Sequence, residues 1–108
     1  MSWLLDADVL SQPAKRLGDP AVAAWLEREK DKCYTSAVVI AQLAYWVRTK
    51  DDRAQEALQA WLTKQIDSLH GRIHGFTVSI AHNLTIVTGN DKDFRRPGLK
   101  VFNPFKEL

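Results

Sequence analysis

The sequence predicts an α/β domain of three layers, with a mostly parallel central sheet flanked by helices. Short apolar runs of strand character alternate along the chain with longer segments of helical periodicity, the pattern of a parallel sheet joined by helical crossovers. With 45% apolar residues, four Trp and four Phe, the chain can build a core, and its 108 residues suffice for one domain (1–108) but not for two. Charged residues at 26%, with only five Gly and four Pro, exclude the disordered and fibrous classes.

Taken in order, Trp3-Leu4-Leu5 is a short apolar run ending on Asp6, read as a buried strand with polar residues at its exit. The chain turns at Gln12-Pro13. Asp19 then suits an N-cap and Pro20 a first helical position, and Val22, Trp25 and Leu26 follow at helical spacing until Lys30-Asp31-Lys32. Cys33-Tyr34-Thr35-Ser36 has strand composition. From Ala37 to Lys50, Val39, Ile40, Leu43 and Val47 mark one helix face, although the β-branched run Val38-Val39-Ile40 blurs where the strand ends.

Asp51-Asp52 opens the clearest helix, whose stripe is Ala54, Leu58, Trp61, Leu62, Gln65 and Leu69. Arg72-Ile73-His74 reads as a short strand and Phe76 to His82 as about two apolar helical turns. Leu84 to Thr88 is a strong strand signal, Gly89-Asn90-Asp91 a turn, and Leu99 to Phe102 a last strand ended by Asn103-Pro104. No internal repeat, linker or low-complexity segment interrupts this order.

Composition also bears on setting. No apolar run approaches the roughly 20 residues of a membrane span, and Met1-Ser2-Trp3-Leu4-Leu5-Asp6 reaches a carboxylate too early for a signal peptide. A single Cys33 cannot form an internal disulfide, so a cytoplasmic, reducing setting is expected. Fifteen Lys and Arg against 13 Asp and Glu give a net charge of +2, far from that of a dedicated nucleic-acid coat.

In an open parallel sheet, ligands sit beyond the carboxyl ends of the strands. Two strand-like runs here end in acidic residues: the first runs into Asp6 and Asp8, the other into Asn90, Asp91 and Asp93. With both strands parallel and central, these carboxylates converge. Clustered carboxylates repel, and a bound Mg²⁺ or Mn²⁺ removes that repulsion because hard cations prefer oxygen ligands. Such an ion polarises a phosphate and activates water, the basis of metal-assisted phosphodiester cleavage. The same residues also suit a strand terminus with an Asx turn, so spacing alone leaves both readings open.

At these residues the chain resembles PIN domains. Leu4 to Ser11 is similar to their opening strand, Tyr34 to Leu43 to their second block, and Ala81 to Asn90 with Asp93-Phe94 to their final strand and acidic loop. Val101-Phe102-Asn103-Pro104-Phe105 resembles the ending of the VapC and FitB branch. The resemblance implies a Mg²⁺-dependent endoribonuclease, the toxin half of a type II toxin–antitoxin pair, with an RNA substrate, a cognate antitoxin and a homodimeric state. It makes Asp6 and Asp93 the catalytic, metal-binding residues. Asp8 and Asp91 are further candidate ligands, and Gln42, Asn90 and Ser36 stand around them. Lys92, Arg95 and Arg96 are candidate RNA contacts.

The departures are equally specific. PIN domains carry Glu where this chain has Gln42, and an amide keeps an oxygen but loses the charge. Between Ile73 and Ala81 the chain lacks most of a helical hairpin and a helix bearing another ligand Asp. The alternative expectation is therefore a catalytically inactive PIN-like module that binds an antitoxin or another protein. A zinc site at His70, His74 and His82 is disfavoured, since Gly71 and Gly75 interrupt the segment. Trp25, Trp46 and Trp61 are expected in core packing or subunit contact rather than base stacking.

Overall fold

The computed structural model describes residues 2–75, 84–90, 92 and 99–108. In chain order the elements are β1 (Trp3–Leu5), α1 (Ala7–Leu10), α2 (Pro20–Glu29), β2 (Cys33–Ser36), α3 (Ala37–Arg48), α4 (Asp52–Ser68), β3 (Ile73–His74), β4 (Thr85–Val87), β5 (Lys100–Phe102) and α5 (Pro104–Glu107). Short 3-10 turns at Gln12–Ala14 and Lys30–Lys32 flank α2.

Local hydrogen bonding decides where the helices begin. Asp6, Asp19, Ser36, Asp51 and Asn103 each accept a backbone N–H from the first turn of α1 to α5 respectively. A cap of this kind contributes about 1 kcal/mol. The Ser36 cap, Oγ to the Val39 N–H at 3.2 Å, sets the strand-to-helix boundary that the β-branched run obscured. Asp6 shows a role the sequence did not announce: the residue that leaves β1 immediately opens α1.

Among the described residues five strands lie in the order β3-β2-β1-β4-β5, and every pairing is parallel. Strand β1 is thus central, with Leu4 opposite Tyr34 on one side and Ile86 on the other. Side chains alternate across the sheet. Leu5, Cys33 and Val87 point into the main core, where Val9, Val22, Trp25, Leu26, Val39, Leu43, Val47, Leu62 and Leu69 from α1 to α4 and their flanks meet them. Trp3, Trp25 and Phe102 pack ring on ring at 5.2–5.5 Å, so Trp25 is a core residue as expected.

The opposite face carries a smaller cluster, Leu4 and Ile86 with Tyr34, Leu84 and Leu99. Among the described residues, α1 to α4 thus supply the main core on one face of the sheet. The expected apolar turns from Phe76 to His82, and the shortened helical middle, fall on residues outside those described. Among the described residues no helix is long and apolar enough to cross a membrane.

Candidate functional site at the carboxyl edge of the sheet

Asp6 stands just past the end of the central strand. Its backbone N–H donates to the Val87 carbonyl at 3.0 Å, which extends the β1–β4 ladder by one rung. Its Oδ1 accepts from the Ala7 N–H at 2.8 Å, and its Oδ2 accepts from the Thr88 hydroxyl at 2.8 Å. Thr88 is completely buried. Its N–H donates to the Phe102 carbonyl and its Oγ1 also accepts from the Asn90 N–H at 3.0 Å. The carboxylate is thereby fixed from two sides, and among the described residues each oxygen accepts one bond and has a second lone pair to offer.

Asp6 lines a depression of about 220 Å³, together with Ser36, Gln42 and an apolar wall that includes Leu4, Val38 and Ile86. Ser36 is buried and its oxygen is engaged as the α3 cap. Gln42 lies on the exposed side of α3 at the rim. The structure brings Asp6, Ser36 and Gln42 together, three residues that the sequence placed around one site.

Asp8 is held elsewhere on the same edge. Its Oδ2 accepts from the Gly89 N–H at 2.9 Å, and its Oδ1 is buried without a hydrogen-bond partner among the described residues. Burial pushes its pKa up and the nearby Asp6 charge adds to this, while the Gly89 and Val9 amides and Lys15 oppose it. Asp8 is not among the residues lining the Asp6 depression. A Cβ at Gly89 would come within 2.5 Å of Asp8 Oδ2 and 3.0 Å of the Phe105 ring, so this close approach requires a glycine. Asn103 holds the loop from the other side, donating from Nδ2 to the Gly89 carbonyl at 3.3 Å.

Asn90 and Lys92 are exposed. Asp91, Asp93, Arg95 and Arg96 lie outside the described residues, as does His82. His74 stacks on Tyr34 at 5.5 Å. Thr88 and Gly89 were absent from the sequence-derived site; a threonine closing a strand directly before a glycine was the only available signal.

The donors around Asp6 suit a hard divalent cation in kind. They are a carboxylate with lone pairs to offer, a serine hydroxyl and an amide carbonyl, all oxygen. In charge they are incomplete, since among the described residues no group of three His, Cys, Asp or Glu side chains is placed to hold a metal ion. A Mg²⁺ or Mn²⁺ site therefore needs a further carboxylate beside Asp6.

A parallel five-stranded sheet with an acidic residue just past the end of its central strand is an α/β fold with a candidate site at the sheet's carboxyl edge. No protein-family profile and no curated protein matches the chain significantly. Solved structures do. A chain in a structure of FitAB bound to a DNA fragment matches at 22% identity and a TM-score of 0.83, covering 98% of this chain and 97% of that one. A chain of FitAcB from Neisseria gonorrhoeae matches at 23% identity and a TM-score of 0.84, over 96% and 99%. A chain of VapBC2 from Rickettsia felis, bound to a DNA fragment from its promoter, matches at 20% and 0.72, over 95% and 98%. At these identities the likeness shows the fold, and the fold is the one the sequence resemblance implied.

Proposed function

We propose that this chain is the toxin half of a type II toxin–antitoxin pair, a cytoplasmic Mg²⁺-dependent endoribonuclease. One observation carries the reading: the Asp6 carboxylate is fixed with lone pairs to offer over a depression shared with Ser36 and Gln42, at the sheet edge where ligands of parallel sheets sit. The fold shared with chains of FitAB and VapBC2 supports it.

With a further carboxylate beside Asp6, Mg²⁺ (or Mn²⁺) held there would supply Lewis-acid charge for phosphodiester hydrolysis. The chain's own part is orientation. Asp6 would hold the ion, Thr88 holds Asp6, and the Gln42 amide lines the same space with its oxygen or its N–H₂. Asp93 is the second carboxylate in this reading, with Asp91 and Asp8 as further candidates. Lys92, Arg95 and Arg96 grip the RNA backbone, and Asn90 stands at the loop between them and Thr88. The partners are a cognate antitoxin and a second copy of the chain.

A second reading, an inactive PIN-like module that binds an antitoxin or another protein, is favoured by Gln42. The Gln42 side chain that shares the depression with Asp6 is neutral, and a lost ligand charge can cost several kcal/mol in the transition state.

Calorimetry with Mg²⁺ and with Mn²⁺, on wild type beside Asp6→Asn, separates the two. Saturable binding that Asp6→Asn abolishes, followed by metal-dependent RNA cleavage, supports the nuclease. No binding by folded wild type removes it and leaves the interaction module. Gln42→Glu should tighten metal binding about tenfold or more, since it restores a charge to the site; unchanged affinity would remove Gln42 from the metal environment.

A further inference from the structure

Between the 3-10 turn that follows α1 and the adjoining ends of α3 and α4 lies an open groove of about 450 Å³. Lys15, Arg16 and Lys50 line it, Trp46 forms a wall, and Ala54 and Leu58 contribute to its floor. The three cations are exposed. None of them is in an ion pair among the described residues, and no described acidic residue lines the groove. Lys15 is near enough to Asp8 to oppose the rise in that carboxyl's pKa, which links the groove to the acidic edge.

Exposed cations are usually no more than a solvated face. Here they surround a concavity whose aromatic wall, Trp46, packs against the main core, as its expected structural role requires, and is still partly open to the groove. The Trp46 ring meets Trp61 edge to face, with centroids 6.3 Å apart and planes at 88°, so its plane is set from within the fold. The Lys50 ammonium lies 5.2 Å from its centroid. That face is covered by the end of a flexible side chain. An entering base can take its place on the indole while the ammonium moves to the phosphate. An acidic protein segment would answer the charges but has no use for a fixed indole face, whereas single strands combine cationic grooves with aromatic stacking.

We propose that this groove holds a single-stranded RNA, with Lys15, Arg16 and Lys50 each meeting a backbone phosphate and one base stacked on Trp46. The inference rests on the ribonuclease reading for its substrate class, and it places the strand on a surface that reading does not use.

The test is fluorescence anisotropy of a short labelled oligoribonucleotide of mixed sequence, with the full chain and EDTA so that cleavage is silent. The triple variant Lys15→Gln/Arg16→Gln/Lys50→Gln should bind roughly tenfold more weakly or worse. Its dependence of log K on log salt should flatten by about 2, at about 0.7 per phosphate contact. Trp46→Leu should lose about tenfold and Trp46→Phe much less, since phenylalanine still stacks. Triple-variant binding equal to wild type, with the same salt slope, overturns the groove. So does unweakened binding by Trp46→Leu with RNA displaced by poly-glutamate, which marks an acidic-protein site. Failure of the nuclease reading has a different signature: wild type still outbinds the groove variants, yet cuts no RNA when Mg²⁺ is added.

Discussion

The Thr88 hydroxyl reaches Asp6, 82 residues away in sequence, donating to its Oδ2 while accepting from the Asn90 N–H. Replacing it by Val keeps the shape of a completely buried side chain and removes both bonds. A hydrogen bond to a charged group contributes about 1.5–3 kcal/mol, so Thr88→Val should lower stability by about 2 kcal/mol in a denaturant melt. Thr88→Ser should recover most of that. Asp8 supplies a prediction in pH. Its carboxyl pKa is raised in the folded protein, mainly by burial, so folding favours the protonated form. The stabilisation is fully present below the ordinary value of 3.8 and is lost as pH rises through the folded pKa. With chelator present, Asp8→Asn should therefore be more stable than wild type at neutral pH. That advantage should shrink as pH falls toward the usual carboxylate range, in thermal melts taken across pH. An advantage independent of pH would contradict the burial of the charged form.

Among the elements, α1 and α2 are joined through Gln12, a buried polar side chain that satisfies one backbone group from each. Its Nε2 donates to the Asp8 carbonyl at 2.8 Å, and its Oε1 accepts from the Asp19 N–H at 2.9 Å. Gln12→Leu leaves the Asp19 N–H unpaired and the Asp8 carbonyl with only the longer bond from the Ser11 hydroxyl at 3.3 Å, and should cost about 1–3 kcal/mol in chemical denaturation. Asp19→Ala, which removes only the cap of α2, should cost about 1 kcal/mol. The contrast shows what could be read in advance. Asp19 and Asp51 were legible as caps or helix starts because a cap acts on residues two or three positions away. Asp6 was legible because an acidic residue leaving an apolar run marks a strand end. Gln12 was not, since its partners meet only once the turn has closed. Thr88 and Gly89 were not, because Asp6 and Asp8 reach them only through the pairing of β1 with β4. Gln42 entered through a family resemblance, and only its seat at the rim of the depression ties it to Asp6.

At the scale of the whole molecule, the buried side of α3 closes the main core with Val39, Leu43 and Val47, while its opposite side is left to solvent. That outer stripe holds Val38 at 56% exposure, Ala41 and Tyr45 at 72%, at helical spacing, and Gln42 lies within it. An exposed apolar stripe on an otherwise packed helix favours association with a second copy, and a two-fold contact would set the same stripe against itself. A 12-residue helix is about 18 Å long. One face of it supplies less than the roughly 800 Å² per partner of a standard interface, so neighbouring surface must contribute and the dimer should be weak, with a dissociation constant near about 1 μM or above. Sedimentation equilibrium should then show a mass that doubles with concentration. Tyr45→Arg, which sets a cation beside the exposed Arg48 and opposite its own copy, should hold the chain monomeric and leave its melting temperature unchanged at concentrations where wild type is itself monomeric. Wild type that stays monomeric at high concentration would remove the homodimer. Because Gln42 shares the stripe, a dimer built there borders the Asp6 depression. Metal affinity should then differ between wild type and Tyr45→Arg at concentrations where wild type pairs, and agree where both are monomers.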